Sequence, residues 1–164
     1  MDLHVKTVER VSADDEASRL FAEILNSRAA LRIRVTGPSM VPLIRSNDLV
    51  TVRKVPVADL TNGDIVLFSN HSGETVVHRI LRKRLRKDHI YFHTKGDARL
   101  EYDQWIDAGK ILGKVCRIEK SRLNRPPRIL NLETPHWRMG GMFIASLQII
   151  FSKVILAVRS RLTE

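Results

Sequence analysis

The sequence contains little cysteine and few aromatic side chains. Among its 164 residues there is one cysteine, Cys116, which excludes an intramolecular disulfide. This cysteine lies in the alternating run GKVCRIEK, a pattern that predicts a packed strand residue rather than a nucleophile. Aromatic residues make up 5% of the chain, so the stacking platforms that hold single-stranded nucleic acids have no obvious counterpart in the sequence.

Targeting signals and repeats are also missing from the sequence. The first 20 residues are polar and rich in acids, which is typical of neither a secretory signal nor a membrane span. No internal repeat or low-complexity tract is present, and the contents of 43% hydrophobic and 28% charged residues are ordinary. The length suits one folded domain with a core and short appendages.

Positive charge, in contrast, is in large excess. The net charge of +10 favours contact with an anionic surface, either nucleic acid or phospholipid head groups. Six of the positive charges lie in RILRKRLRK, from Arg79 to Lys87, where the pattern predicts the solvated tip of a hairpin. We therefore do not expect a nucleic-acid partner, and a basic module that binds nucleic acid or anionic lipid is kept as an alternative function.

Three segments precede the C-terminal end of the chain. Residues 1–30 are predicted to be helical, with a helix over 13–29 that is capped by Ser12 and has apolar residues at helical spacing. Residues 31–120 alternate short strand patterns with polar turns, which predicts a mainly β fold, a small antiparallel barrel or sandwich. Residues 121–138 contain three prolines and are predicted to be a connector.

The fourth segment, residues 139–164, is predicted to be an apolar helix and a candidate membrane anchor. Twenty helical residues reach about 30 Å, the thickness of one hydrocarbon core. The polar residues within 139–158 do not gather on one helical face, which favours a marginal span or a helix packed on the body over an interfacial helix. We expect membrane association through 139–158, with a cytoplasmic location as the alternative. Basic flanking residues favour the cytoplasmic side, and the topology stays open.

The hexapeptide GPSMVP, residues 37–42, holds a serine between two prolines. A serine hydroxyl is a poor nucleophile at neutral pH unless a base lies within hydrogen-bond reach and a further group orients that base. Gly37 permits unusual backbone angles and the prolines stiffen the turn. Taken alone, the hexapeptide predicts a structural turn that contains Ser39.

Several histidines and acids are candidate partners for this serine. His78 lies inside the apolar strand pattern TVVHRI, where a satisfied core histidine is the simpler interpretation. His89 and His93 are four residues apart on a predicted strand, about 13 Å from each other, so we expect no shared metal and no cofactor. The segment TKGDARLEYDQW contains Asp97 and Asp103, each of which on its own predicts a turn acid.

Five segments in order resemble the type I signal peptidases, and most closely their endoplasmic-reticulum and archaeal branch. These are GPSMVPLIRSNDLVTVRK, GDIVLF, VVHRI, TKGDARLEYD and GKV, and the resemblance covers roughly residues 33–118. The resemblance implies the β protease fold that signal peptidases share with the autocleaving LexA-type repressors. It also implies a serine endopeptidase that cleaves a peptide bond in an exported or precursor protein.

The resemblance assigns a role to each of four side chains and to one backbone group. Ser39, followed by Met-Val-Pro, is implied to be the nucleophile, with its backbone N–H in the oxyanion hole. His78 stands where bacterial members place a lysine base and is implied to be the general base. Asp103 is implied to orient the histidine, and Asp97 to be a second, supporting acid.

One departure from the family pattern concerns the oxyanion hole. Gly37 stands where many members have a serine whose hydroxyl helps to hold the oxyanion, and Pro38 has no amide hydrogen to donate. A LexA-like regulatory protease is a further alternative, although those proteins use a Ser-Lys pair and this chain has no lysine at the corresponding position.

Overall fold

A computed structural model describes residues 5–8, 15–27, 30–121, 126–134, 136–137, 139–141 and 143–150. The strands are β1 (Val5–Val8), β2 (Ala30–Arg34), β3 (Leu49–Arg53), β4 (Ile65–Ser69), β5 (Thr75–Arg86), β6 (His89–Lys95), β7 (Ile106–Asp107), β8 (Ile111–Lys120) and β9 (Arg128–Asn131). Helix α1 spans Asp15–Asn26, short 3-10 turns lie at Val57–Asp59 and Ala108–Lys110, and helix α2 is described at 136–137, 139–141 and 143–150.

In the described part of the chain, nine strands form one sheet with the order β1-β2-β3-β8-β4-β5-β6-β7, and β9 pairs with β8. The pairing is antiparallel except between β1 and β2. Register shifts interrupt the ladders of β3 with β8, β4 with β8 and β5 with β6, and such bulges increase the local twist and bend a sheet. The predicted mainly β, antiparallel fold is confirmed.

Strand β4 separates two apolar clusters. Its residues are buried throughout, which explains why its sequence reads as a continuous apolar run rather than an alternating one. Ile65 and Leu67 contribute to a cluster that α1 covers with Phe21. Val66 and Phe68 contribute to a second cluster under β5, β6 and β7. The β4–β5 region is therefore held from both faces, which makes it a rigid support for side chains on β5.

The hairpin between β5 and β6 is the one that the sequence predicts. Its turn residues Lys87 and Asp88 both have positive φ, at 46° and 62°, as a two-residue turn between twisted strands requires. The strands extend along Arg82–Arg86 beyond the buried part of the sheet, where the β5 side chains are exposed.

Two strands lie in segments for which no strand is predicted. The predicted helical segment 1–30 contains β1 as well as α1, and the predicted connector 121–138 contains β9. Both strands have four residues and pair at an edge of a longer strand. Such short additions depend on the longer strand with which they pair, so local periodicity does not reveal them. Ser12, the predicted helix cap, lies outside the described residues.

Helix α2 has one side on the body of the protein and another that is exposed. Gly141 and Ala145 are buried, and a Cβ atom at Gly141 would lie 2.8 Å from the carbonyl oxygen of Gly63. The exposed side carries Met139, Phe143, Leu147 and Ile150, at helical spacing. Among the helices that the structure describes, none combines the length and apolarity needed to cross a bilayer. The predicted anchor 139–158 continues past residue 150, outside the described residues.

Candidate active site

Ser39 lies in the loop that connects β2 to β3. Two apolar side chains just after it, Met40 and Ile44, are fully buried in the first cluster and fix the loop to the core. Gly37 has φ of +88°, a left-handed conformation that favours glycine, and Ser39 itself is half-buried. The local sequence therefore anchors the loop on one side of Ser39 and turns the backbone sharply on the other.

The same loop is closed by a buried acid, Asp48. Its carboxylate accepts hydrogen bonds from the backbone N–H groups of Arg45 and Ser121 and from the Lys120 ammonium group. Burial raises the pKa of Asp48, but these donors outweigh it and hold the pKa below its ordinary value. An ionised Asp48 thus ties the end of the Ser39 loop to the end of β8.

His78 lies on β5 and is 3% exposed. Its Nδ1 atom is 2.7 Å from Oδ2 of Asp103, and the hydroxyl of Thr94 donates to the same carboxylate oxygen at 2.7 Å. The backbone N–H of Asp103 also donates to the carbonyl oxygen of Thr94 at 3.0 Å. Because an ionised carboxylate only accepts hydrogen bonds, Nδ1 carries the proton and Nε2 is the nitrogen able to accept one.

The surroundings of Asp103 keep it ionised. Burial raises its pKa, but the hydrogen bond and charge of His78, the Thr94 hydroxyl and the nearby Arg99 charge outweigh burial and lower the pKa below the ordinary 3.8. A carboxylate that remains charged at neutral pH fixes the orientation of an imidazole ring and stabilises its protonated form.

Gly96 brings the serine loop and the histidine together. A Cβ atom at this position would lie 2.6 Å from the Ser39 carbonyl oxygen, 3.0 Å from Nε2 of His78 and 3.1 Å from Cβ of Ser39. The backbone N–H of Ala98 donates to the Ser39 carbonyl oxygen at 2.9 Å. Nε2 of His78 and the side chain of Ser39 therefore border one small space that a larger residue would fill.

The described residues show no hydrogen bond between the Ser39 hydroxyl and the His78 ring. Catalytic hydrogen bonds are often long before a substrate binds and tighten in the complex. The backbone N–H of Ser39 likewise makes no hydrogen bond within the described part of the chain. The family resemblance implies that this N–H contributes to an oxyanion hole.

Ser39, His78 and Asp103 all line one open cleft of about 1000 Å³. The cleft lies between the end of β2 and the start of β5, and its walls include apolar side chains such as Ile33 and Val77. Three of the four side chains selected from the sequence thus meet at a single solvent-accessible surface.

Asp97, the fourth, contacts Arg79 rather than His78. The guanidinium group donates to both carboxylate oxygens, from Nε at 2.8 Å and from Nη2 at 2.7 Å. Arg79 also donates to the Gly63 carbonyl oxygen, and the Gln148 amide donates to Asp97 at 2.9 Å. Asp97 is therefore buried in an ion pair on the opposite face of β5 from His78.

Thr94 and Gly96 are site residues that sequence reasoning missed. Both lie on β6 or directly after it and face the His78 side of the sheet, because residues two apart in a strand share a face. The sequence feature that could have indicated them is their position in the segment TKGD, directly before Asp97, which was already a candidate. Lys95, between them, pairs with Arg79 on the other face.

The other histidines that the structure describes do not line this cleft. His93 stacks on Tyr102 and on Trp105, with ring centroids 4.7 and 4.6 Å apart. His71 and His89 are exposed, and His4 lies outside the described residues. No group of three His, Cys, Asp or Glu side chains suited to a metal ion occurs among the described residues.

Comparison with known proteins gives a family that agrees with this fold and cleft. The Peptidase S24-like family matches residues 6–116, more than half of the chain, and the chain belongs to that family. Signal peptidase I W of Bacillus subtilis (strain 168) is 34% identical over 64 residues, which are 38% of this chain. The match covers 34% of the length of that relative, so the chain spans about a third of it.

Proposed function

We propose that the protein is a serine endopeptidase in which Ser39 is the nucleophile, His78 the general base and Asp103 the group that orients His78. The observation that carries the proposal is the set of hydrogen bonds that joins Thr94, Asp103 and His78, together with the position of His78 Nε2 and the Ser39 side chain on either side of the same small space at Gly96. A histidine rather than a lysine in this position supports the Ser-His-Asp mechanism of the endoplasmic-reticulum and archaeal branch.

The reaction proceeds by acyl transfer. Ser39 Oγ attacks the scissile carbonyl carbon while Nε2 of His78 takes the hydroxyl proton, and the Ser39 backbone N–H donates to the oxyanion. The C–N bond then breaks, the imidazolium gives its proton to the leaving amine, and an acyl-enzyme remains. A water molecule, deprotonated by His78, attacks the ester, and His78 returns the proton to Ser39. Asp103 stays ionised throughout.

The edge of β2 offers a place for an extended substrate. The N–H of Val35 donates to Asp48 and its carbonyl oxygen accepts from Asn47, both at 2.9 Å, on the β3 side. Backbone polar groups alternate along a strand, so those of Arg34 and Thr36 are directed to the opposite, cleft-facing edge. Among the described residues, the pairing of β1 with β2 reaches Ile33. A peptide strand added beyond that point leads toward Ser39.

The substrate class we propose is an exported or precursor protein, with the enzyme held at a membrane through 139–158. The exposed apolar side of α2 supports membrane docking, because four large apolar side chains there have no cover in the described structure. The name of the B. subtilis relative is consistent with signal-peptide cleavage.

Cleavage of a precursor that carries a signal peptide tests the proposed function. We expect the wild-type protein to release the mature product, and Ser39→Ala and His78→Ala to lose activity at least about a thousandfold while remaining folded by circular dichroism. Full activity of folded His78→Ala would remove the histidine mechanism. Activity in Ser39→Ala would remove the serine mechanism.

A second candidate function, binding of nucleic acid, is favoured by one observation. On one face of the β5–β6 hairpin the exposed Arg82, Arg84 and Arg86 stand opposite His93, Tyr91 and His89. Basic and aromatic side chains on one face suit a single strand of nucleic acid. Labelled oligonucleotide binding should then weaken in Arg84→Ala and fall steeply with salt. Equal binding by Arg84→Ala and wild type would reject this candidate.

A further inference from the structure

We propose that Gln148 is a positioning residue for the catalytic centre and that it makes helix α2 a functional part of the peptidase domain. The inference rests on the proposed function. Gln148 contacts neither Ser39 nor His78. It acts through Asp97 and the turn that contains it.

The contact itself is specific. Nε2 of Gln148 donates to Oδ1 of Asp97 at 2.9 Å, and the same oxygen accepts from Nε of Arg79 at 2.8 Å. The side chains of Arg79 and Asp97 are 2% and 5% exposed. Because water has little access to these side chains, each hydrogen bond to the carboxylate is stronger than it would be in water. Oε1 of Gln148 is buried with no hydrogen-bond partner among the described residues. The bond from Nε2 to Asp97 is therefore the interaction that accounts for the position of this amide.

Close packing at Gly141 holds helix α2 in one position against the Arg79–Asp97 ion pair. Gly141 packs so closely that a Cβ atom there would lie 2.8 Å from the Gly63 carbonyl oxygen and 3.4 Å from Nη1 of Arg79. Residues 141, 145 and 148 recur at helical spacing on one side of α2. The close approach at Gly141 therefore fixes the position of α2 along its axis. This in turn fixes the position of the Gln148 amide relative to Asp97.

The position of Asp97 affects the catalytic residues through the tight turn in which Asp97 lies. The N–H of Arg99 donates to the Gly96 carbonyl oxygen at 3.0 Å and closes the turn around Asp97. On the other side of the turn, Ala98 donates to the Ser39 carbonyl oxygen and Gly96 lies against Nε2 of His78. A shift of Asp97 therefore moves the support of both the nucleophile and the base.

Substitution of Gln148 tests the proposal with the full chain and a soluble peptide substrate. We expect Gln148→Leu to lower kcat about tenfold with little change in KM, because the loss affects geometry rather than substrate contacts. Gln148→Glu should lower kcat further, since a second carboxylate would face Asp97. Gly140→Ala, in the same helix and with nothing among the described residues within 4 Å of the added Cβ atom, is the matched control and should keep wild-type kcat.

A second readout is the NMR signal of the His78 Nδ1–H proton, which does not require turnover. We expect Gln148→Leu to shift or broaden this signal at temperatures where the variant is fully folded, and Gly140→Ala to leave it in place. A Gln148→Leu protein with wild-type kcat and an unchanged signal overturns the proposal, as does a loss of kcat that only follows the unfolded fraction. If wild type cleaves no peptide but the signal still shifts, the proposed function fails while the structural link stands.

Discussion

Replacement of Gly96 by alanine is the sharpest perturbation of the catalytic geometry. The added Cβ atom would lie 2.6 Å from the Ser39 carbonyl oxygen and 3.0 Å from Nε2 of His78. Non-bonded heavy atoms are most favourable at about 3.5–4.0 Å, so the serine loop must move away by about 1 Å. Gly96 does not have positive φ, so steric contact rather than backbone strain is the cause.

The expected consequence is a large loss of activity with a moderate loss of stability. A misplacement of about 1 Å at a reacting group costs on the order of a hundredfold in rate. Overpacking of this kind lowers the free energy of unfolding by about 1–3 kcal/mol. We therefore expect kcat/KM of Gly96→Ala to fall about a hundredfold in a peptide-cleavage assay run where chemical denaturation shows the variant fully folded.

Gly140→Ala is the matched control for this experiment. Among the described residues, nothing lies within 4 Å of a Cβ atom added at Gly140, and the residue lies in α2, where alanine is favoured over glycine by about 1 kcal/mol. This variant should keep wild-type activity and equal or higher stability. If Gly96→Ala also kept wild-type kcat/KM, Ser39 and His78 would not depend on the close approach at Gly96, and our reading of the catalytic geometry would be wrong.

Three further predictions concern Asp103, Thr94 and α2. The folded-state pKa of Asp103 is lowered, so its contribution to stability is present above the ordinary pKa of 3.8 and is lost as pH falls through the folded value. The free energy of unfolding of Asp103→Asn should therefore be about 2 kcal/mol lower than that of wild type at pH 7. Urea titrations should show this difference becoming smaller below pH 4. Thr94→Val removes the hydroxyl donor to Asp103 and should lower kcat about tenfold at unchanged KM, whereas an unchanged kcat would show that the hydroxyl is dispensable. Phe143→Ser should weaken binding to anionic phosphatidylglycerol vesicles about tenfold in a flotation assay, and equal flotation would argue against docking through the exposed side of α2.

Local periodicity was sufficient to predict the β region and its main hairpin. Alternation along β5 and β6 and the turn between them are local properties, and the structure has them where the sequence indicates. β1 and β9 were not predictable in this way, because each has four residues and forms by pairing with a longer strand. The continuous apolar run of α2 concealed two sides with different surroundings, one on Gly63 and the other exposed.

The candidate site required more than the residues taken one at a time. Ser39, His78 and Asp103 each had a simpler structural interpretation, and only their order and resemblance to a known family selected them together. Gln148 could not be found from the sequence, because its importance comes from a contact across the fold. Thr94 and Gly96 had only their position within TKGD as a signal, since their contacts with Asp103, His78 and Ser39 also form across the fold. The aromatic rings beside the basic hairpin were missed for the same reason: Tyr102 and Trp105 reach His93 through a loop, not through sequence proximity.

The most direct test of the central claim is covalent labelling of the nucleophile by a fluorophosphonate, followed by peptide mass spectrometry. We predict that the wild-type protein forms an adduct on Ser39, that His78→Ala reacts at least about a hundredfold more slowly, and that Ser39→Ala forms no adduct at that peptide. An adduct on a different residue, or a His78→Ala protein that is labelled at the wild-type rate, would contradict a nucleophile at Ser39 activated by His78.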